Sequence, residues 1–208
     1  MRYSLLLPLR PLASRFTLLL SAGMAVSVSA STLIMNAVII DGSGAPPEQG
    51  SVRISDSRIV AKGDLIPLDT DTVIDAAGYV LAPGFIDTHS HADALILSQR
   101  EALPKVTQGI TTVIVGQDGE SPYPLSGFFT ALEQRPAKIN VAAFAGHNTL
   151  RNEVMHPDAN RSASEAEVGA MQVLLRSELA AGALGLSSGL EYEPGIYSSP
   201  AGVLILAK

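Results

Sequence analysis

The strongest constraint on the fold is a regular alternation of strand-like and helical segments that begins near residue 84. Apolar runs typical of buried strands cover residues 84–88, 111–115, 139–145 and 183–186. Segments of helical character cover residues 98–108, 125–135, 164–181 and 201–208. Because strands joined through helices run parallel, this order predicts a parallel sheet of the α/β class, built from four strand–helix units.

The segment 164–181 carries the clearest helix signals. Ser164 and Glu167 have the spacing of a capping box, and Gly182 stands where a helix is expected to end. Apolar side chains recur on one face of this helix at Val168, Met171, Leu175 and Leu179.

Residues 31–82 have a different pattern of short strands separated by turns. The strand-like runs cover residues 33–40, 51–54, 58–61, 73–75 and 79–82. Their tight spacing predicts a small β-sandwich or sheet. No low-complexity linker follows, so we expect an N-terminal β unit at 31–82 and an α/β domain at 83–208.

Residues 1–30 have the features of a secretory signal peptide. Arg2, Arg10 and Arg15 form a basic region, residues 16–28 are largely apolar, and small residues precede a cleavage point after Ala30. The pattern predicts export, to a periplasm, with membrane contact only during export. An uncleaved N-terminal anchor helix is the alternative.

The composition narrows the functional classes. The 208 residues are 47% hydrophobic and 16% charged, which is enough apolar material for a packed core. The formal net charge of −6 leaves no basic surface for nucleic acid. With no cysteine, the chain has no disulfide, no thiolate metal ligand and no cysteine nucleophile. The composition does not specify an oligomeric state.

Two histidines follow the first strand of the α/β part directly, in the segment Asp87-Thr88-His89-Ser90-His91. Residues i and i+2 of a strand face the same side, so His89 and His91 are expected to project together as ligands of one metal ion. Asp87 points the same way as an orienting partner. The alternative is a pair of exposed loop histidines.

Further candidates follow the later strands. The carboxyl ends of parallel strands meet at one edge, where α/β barrels build their active sites. Asp118 could be a metal ligand there or part of an Asp-Gly turn. His147 could contact substrate or be structural. Glu191 and Tyr192 are candidates for metal and substrate contacts, respectively, whereas His156 is expected to be structural or solvated.

Several segments together resemble one known family. Residues 81–91, Leu-Ala-Pro-Gly-Phe-Ile-Asp-Thr-His-Ser-His, match the signature of the metal-dependent amidohydrolase superfamily. Residues 109–116, 185–192 and 194–197 extend the match to the D-aminoacylase branch, the N-acyl-D-amino-acid deacylases. The resemblance covers residues 33–208, and it corresponds to the N-terminal part of such proteins.

The resemblance implies a TIM-barrel-like hydrolase domain, of which this chain holds the first half. It implies zinc, as one or two divalent ions, and hydrolysis of an amide C–N bond of N-acyl amino acids by metal-activated water. His89, His91 and Asp118 would be metal ligands, with Glu191 as a further candidate. The family has a cysteine where this sequence has Asp118.

The resemblance also implies substrate contacts from His147 and Tyr192, and a general-base aspartate that lies beyond Lys208. Two alternatives stay open. The first is a related hydrolase of cyclic amides, such as a dihydroorotase, or of isoaspartyl dipeptides. The second is a truncated, inactive fragment that lacks the second half of the barrel.

Overall fold

The computed structural model describes residues 30–208, so the predicted signal peptide lies outside the described residues except for Ala30. Contacts within the chain divide it into two units between Leu81 and Ala82. Across 30–208, no helix has both the length and the apolar character needed to span a membrane.

The first unit is a single five-stranded mixed sheet. Its strands are β1 (Ser31–Ile39), β2 (Glu48–Ser55), β3 (Arg58–Gly63), β4 (Asp71–Asp75) and β5 (Val80–Leu81). The hairpins β1–β2 and β2–β3 are antiparallel, whereas β4 and β5 run parallel to successive stretches of β1. All five strands thus belong to one layer, and residues 30–81 do not form the second layer that a sandwich needs.

Alternating side chains on one face of the first sheet form its core. Ala37, Ile39 and Val52 pack together and are almost fully buried. Asp71 joins β4 to the rest of the sheet, because its carboxylate accepts hydrogen bonds from Arg53 and Ser31. The Arg53 guanidinium, followed by Ser31, lowers the pKa of Asp71 well below its ordinary range.

The second unit alternates strands and helices, as the sequence predicts. Its strands are β6 (Phe85–Asp87), β7 (Ile110–Val115), β8 (Asn140–Ala143), β9 (Ala145–Gly146) and β10 (Leu186–Ser187). Its helices are α1 (Asp93–Ile96), α2 (Leu103–Val106), α3 (Leu125–Gln134), α4 (His147–Met155), α5 (Glu165–Ala180) and α6 (Pro200–Leu206), with a 3-10 turn at Gly195–Tyr197. All strand pairs, β6–β7, β7–β8 and β9–β10, are parallel.

The structure differs from the sequence analysis at two helices. The helix expected over 98–108 is reduced to the short α2, because Ala102 adopts a left-handed backbone with φ of 44° that no helix can continue through. Helix α1 ends at Ile96, before the predicted range. Helix α4 was not predicted, because its first turn, His147-Asn148-Thr149, has residues of modest helix propensity. Burial of that turn stabilises it instead.

Helix α5 begins and ends within one residue of its predicted limits, and the capping box between Ser164 and Glu167 is confirmed. Its inward face differs at one position. Leu179 is 42% exposed, and the charged Glu178 is buried in its place. The core of the unit lies between the strands and α3, α4 and α5, and includes Val113, Leu150 and Met171.

Candidate metal centre

The end of β6 brings the two predicted histidines together. Asp87 is the last residue of β6, and His89 and His91 lie in the loop that follows. Their side chains are 59% and 63% exposed, respectively. Their ring centroids are 5.4 Å apart and the rings are steeply inclined, at 64°. The loop after β6 therefore places the two imidazoles close together, as the sequence predicts.

Asp118 reaches the same point from the loop after β7. Its Oδ2 atom lies 3.2 Å from His89 Nε2 and 3.3 Å from His91 Nε2. One ligand atom from each residue lies within 4.8 Å of the other two. Imidazole nitrogen and carboxylate oxygen are donors that zinc accepts in proteins. The donor set and its convergence therefore fit a divalent metal ion.

Asp87 contacts the histidine loop without joining the three donors. Its carboxylate accepts a hydrogen bond from the backbone N–H of His89, 3.4 Å away, and pairs with Lys105 Nζ at 2.6 Å. The hydrogen bond from Lys105 lowers the pKa of Asp87, so this carboxylate stays ionised. Its contact is with the backbone of His89 and not with either ring, and its role as an orienting partner of the ligands stays a prediction.

The loop that carries Asp118 is a tight glycine turn that presents the Asp118 carboxylate to the two imidazoles. Asp118 has φ of 56°, and Gly116 and Gly119 on either side have φ of 78° and 83°. The carbonyl oxygen of Gly119 accepts hydrogen bonds from the N–H groups of Asn148 and Thr149, at 2.8 and 3.2 Å. The first turn of α4 therefore holds this loop by two of its free N–H groups.

Asn148 is a site residue that the sequence analysis missed. Its side chain is fully buried, and it packs against Gly119 and Gly195, where any added methyl group would collide with it. Its Nδ2 atom donates a 3.5 Å hydrogen bond to the Gly189 carbonyl. Asn148 follows His147 directly after β9. This position at the carboxyl end of a strand is the sequence signal that could have identified it as a site residue.

His147 does not face the three donors. Only 1% of the residue is exposed, and its Nε2 atom lies 3.5 Å from Ser198 Oγ, in a small cavity shared with Arg151 and with side chains of α5 and α6. Burial, followed by the charge of Arg151, lowers its pKa to about 4. This placement matches the structural alternative, and it gives no support to a substrate contact.

Glu191 and Tyr192 lie exposed in the loop after β10. Glu191 is not part of the three-donor cluster found among residues 30–208, so its role as a ligand stays a prediction. The Tyr192 N–H donates to the Gly189 carbonyl, and 49% of the residue is exposed to solvent. His156 is exposed beyond α4, as expected.

The chain is similar to several characterised hydrolases. The profile of the amidohydrolase family matches residues 72–199. The N-acyl-D-aspartate deacylase of Alcaligenes xylosoxydans xylosoxydans is 43% identical over 185 aligned positions, which cover 78% of this chain and 37% of that protein.

Two solved structures also resemble the chain. One is an N-acyl-D-glutamate deacylase from Bordetella bronchiseptica in complex with zinc and a phosphonate mimic of the tetrahedral intermediate (36% identity, TM-score 0.81, 86% of this chain and 42% of that chain). The other is a D-aminoacylase with a binuclear metal centre (36% identity, TM-score 0.79, 85% and 42%). The chain thus spans less than half the length of the relatives that it matches.

Proposed function

Since this chain belongs to the amidohydrolase family, we propose that its protein is a metal-dependent N-acyl-D-amino-acid deacylase, a hydrolase of carbon–nitrogen bonds other than peptide bonds. The observation that carries the proposal is the convergence of His89, His91 and Asp118 beyond the carboxyl ends of parallel strands. The similarity to D-aminoacylase and to two acidic N-acyl-D-amino-acid deacylases supports the substrate class.

His89, His91 and Asp118 would hold zinc, as one or two ions. When bound in such a site, the metal lowers the pKa of water and polarises a carbonyl group. The chain's own contribution is to hold two imidazoles and one carboxylate in place before metal arrives. Asp87 supports this arrangement by fixing the backbone of His89, with Lys105 keeping the Asp87 carboxylate charged.

Tyr192 is the residue that we propose for substrate contact. Its loop lies beside the ligand loop, because an added methyl group at Gly189 would overlap the carbonyl oxygen of Asp118. Ser187 Oγ also donates to the Gly116 carbonyl at 2.5 Å. A phenol in this position suits a carbonyl or carboxylate of an N-acyl amino acid.

We further propose that the parallel strands are the first part of a TIM-barrel-like sheet. Phe85 and Ile86 of the edge strand β6 are 65% and 61% exposed, which favours further strands beside them in the complete protein. The part of the complete protein that supplies those strands would also supply the general-base aspartate and the strands that complete a sandwich on residues 31–82. A chain without those parts would bind metal but not catalyse.

The test compares zinc content and hydrolysis. The purified chain is loaded with zinc, and its metal content is measured by mass spectrometry. Hydrolysis of the N-acetyl forms of D- and L-aspartate, glutamate and methionine is assayed separately, with the complete native protein. Hydrolysis of D-substrates only supports the proposal, whereas turnover of dihydroorotate or hydantoin instead would favour the cyclic-amide alternative. Zinc bound by the chain, with no turnover of any substrate by the native protein, would favour the inactive fragment.

We also propose export, on the basis of Arg2, Arg10 and Arg15 and the apolar stretch that follows them. Fusion of residues 1–40 to a reporter enzyme that is active only outside the cytoplasm tests this proposal. Sequencing of the mature N terminus then separates cleavage after Ala30 from an uncleaved anchor.

A further inference from the structure

We propose that Gln117 is a positioning residue that fixes the spacing between the two loops that carry the candidate metal ligands. The inference rests on the proposed function. Gln117 immediately precedes Asp118, and its Nε2 atom donates a 2.8 Å hydrogen bond to the carbonyl oxygen of Thr88, which immediately precedes His89. One side chain therefore joins the neighbours of two ligands across the gap between β6 and β7.

The orientation of the Gln117 amide follows from its partners. The second contact of Nε2 is with the carbonyl oxygen of Ile114, at 3.3 Å. Carbonyl oxygens only accept hydrogen bonds, so the NH2 group and not the amide oxygen must face both of them. Since one contact is to Ile114 in β7 and the other is to the histidine loop, the amide bridges the two segments.

The Gln117 bridge lies beyond the last paired residues of β6 and β7, where the backbone ladder no longer links the two segments. Regular pairing between β6 and β7 ends at Asp87 and Val113. Beyond that pair, the backbone N–H of Ser90 donates to the Ile114 carbonyl at 3.1 Å, and the Gln117 amide adds a second link closer to His89. Loops without such links sample more conformations, and ordering them on metal binding lowers the affinity.

The chain offers a matched control at the opposite end of the sheet. Asn140 Nδ2 donates to the Thr111 carbonyl at 3.1 Å, so it also joins two neighbouring strands through a side-chain amide. This link lies at the amino ends of β7 and β8, whereas the ligands follow carboxyl ends. Its loss should affect stability without affecting the metal centre.

The experiment is a cobalt titration of the 208-residue chain and of the variants Gln117→Met and Asn140→Leu. Both variants replace an amide with an apolar group of similar size. We expect Gln117→Met to weaken cobalt binding by about 10-fold or more, the range found for residues that orient metal ligands, and to change the visible cobalt spectrum. Asn140→Leu should keep the native affinity and spectrum.

A second readout does not need metal. Hydrogen exchange of residues 88–91 in the metal-free chain should be faster in Gln117→Met than in the native chain, with both folded by circular dichroism. Native affinity, spectrum and exchange in Gln117→Met would overturn this inference alone. Failure of the native chain to bind cobalt or zinc would overturn the proposed function and, with it, the inference.

Discussion

The carboxylate of Glu178 accepts a 2.8 Å hydrogen bond from the backbone N–H of Leu125, the first residue of α3. Glu178 is only 3% exposed, and the position before α3 is Pro124, which has no side chain that could cap the helix. The charge therefore sits at the positive end of the α3 dipole and satisfies one of its free N–H groups. This contact explains why the inward face of α5 contains a glutamate.

Replacement of Glu178 tests this link between α5 and α3. Glu178→Gln keeps an acceptor and should lower the free energy of unfolding by about 1 kcal/mol, whereas Glu178→Leu leaves the Leu125 N–H unpaired and should cost about 2–3 kcal/mol. Urea unfolding measures both. The exposed Glu133→Gln should change stability by less than about 0.5 kcal/mol. Native stability in Glu178→Leu would contradict this role.

Asp118 is expected to act as a ligand through its charge. Asp118→Asn retains the shape of the side chain but should weaken zinc binding by more than about 10-fold. Loss of a residue that only orients a ligand already lowers metal affinity about 10-fold, and loss of the ligand itself should lower it further. Calorimetric titration gives the affinities, with Asp64→Asn as an exposed carboxylate control. Equal affinity in Asp118→Asn would exclude the carboxylate as a ligand.

Asp118→Cys provides a spectroscopic version of the same experiment. The chain has no cysteine, so the new thiol is unique. We expect cobalt binding to produce a thiolate-to-cobalt charge-transfer band in the near ultraviolet, because sulfur then ligates the ion directly. Cobalt bound by Asp118→Cys without this band would place the metal elsewhere.

His147 should make stability depend on pH. Its folded pKa of about 4 lies below the ordinary 6.5, so between these values the unfolded chain binds a proton that the folded chain does not. The free energy of unfolding should therefore fall as pH drops from 6.5 to 4, by at most about 3 kcal/mol from this group, and no further below 4.

Unfolding at pH 7 and pH 4 measures this contribution by difference. His147→Gln should lose less stability between the two values than the native chain, while the exposed His156→Gln should behave like the native chain. The same loss in His147→Gln and in the native chain would show that the buried imidazole does not titrate in this window.

Gly189 and Gly169 should respond in opposite directions to alanine. An added methyl group at Gly189 overlaps the Asp118 carbonyl, so Gly189→Ala should cost about 1–3 kcal/mol and weaken zinc binding. Gly169 lies within α5 and has nothing within 4 Å of an added methyl group, so Gly169→Ala should stabilise by about 0.5–1 kcal/mol. Thermal unfolding and zinc titration check both; a stabilised Gly189→Ala would contradict the close approach of the two loops.

Much of the fold follows from local patterns. The alternation after residue 84 predicts the parallel strands, and the α/β class is confirmed by the strand pairing and by the structural matches to amidohydrolases. The resemblance to the N-acyl-D-amino-acid deacylases is confirmed by the sequence and structural matches. The capping box of α5 depends on residues three positions apart, so a short stretch of sequence is enough to predict it.

The sequence by itself determined which residues could be ligands, because the spacing of His89 and His91 directly after a strand predicts a common side for their imidazoles. Only the tertiary structure decided that Asp118 completes the cluster, that His147 turns into the helical layer, and that Gln117 and Asn148 hold the loops. These outcomes depend on contacts between segments tens of residues apart. Local periodicity has no information about such contacts, since they arise only when strands align and loops pack.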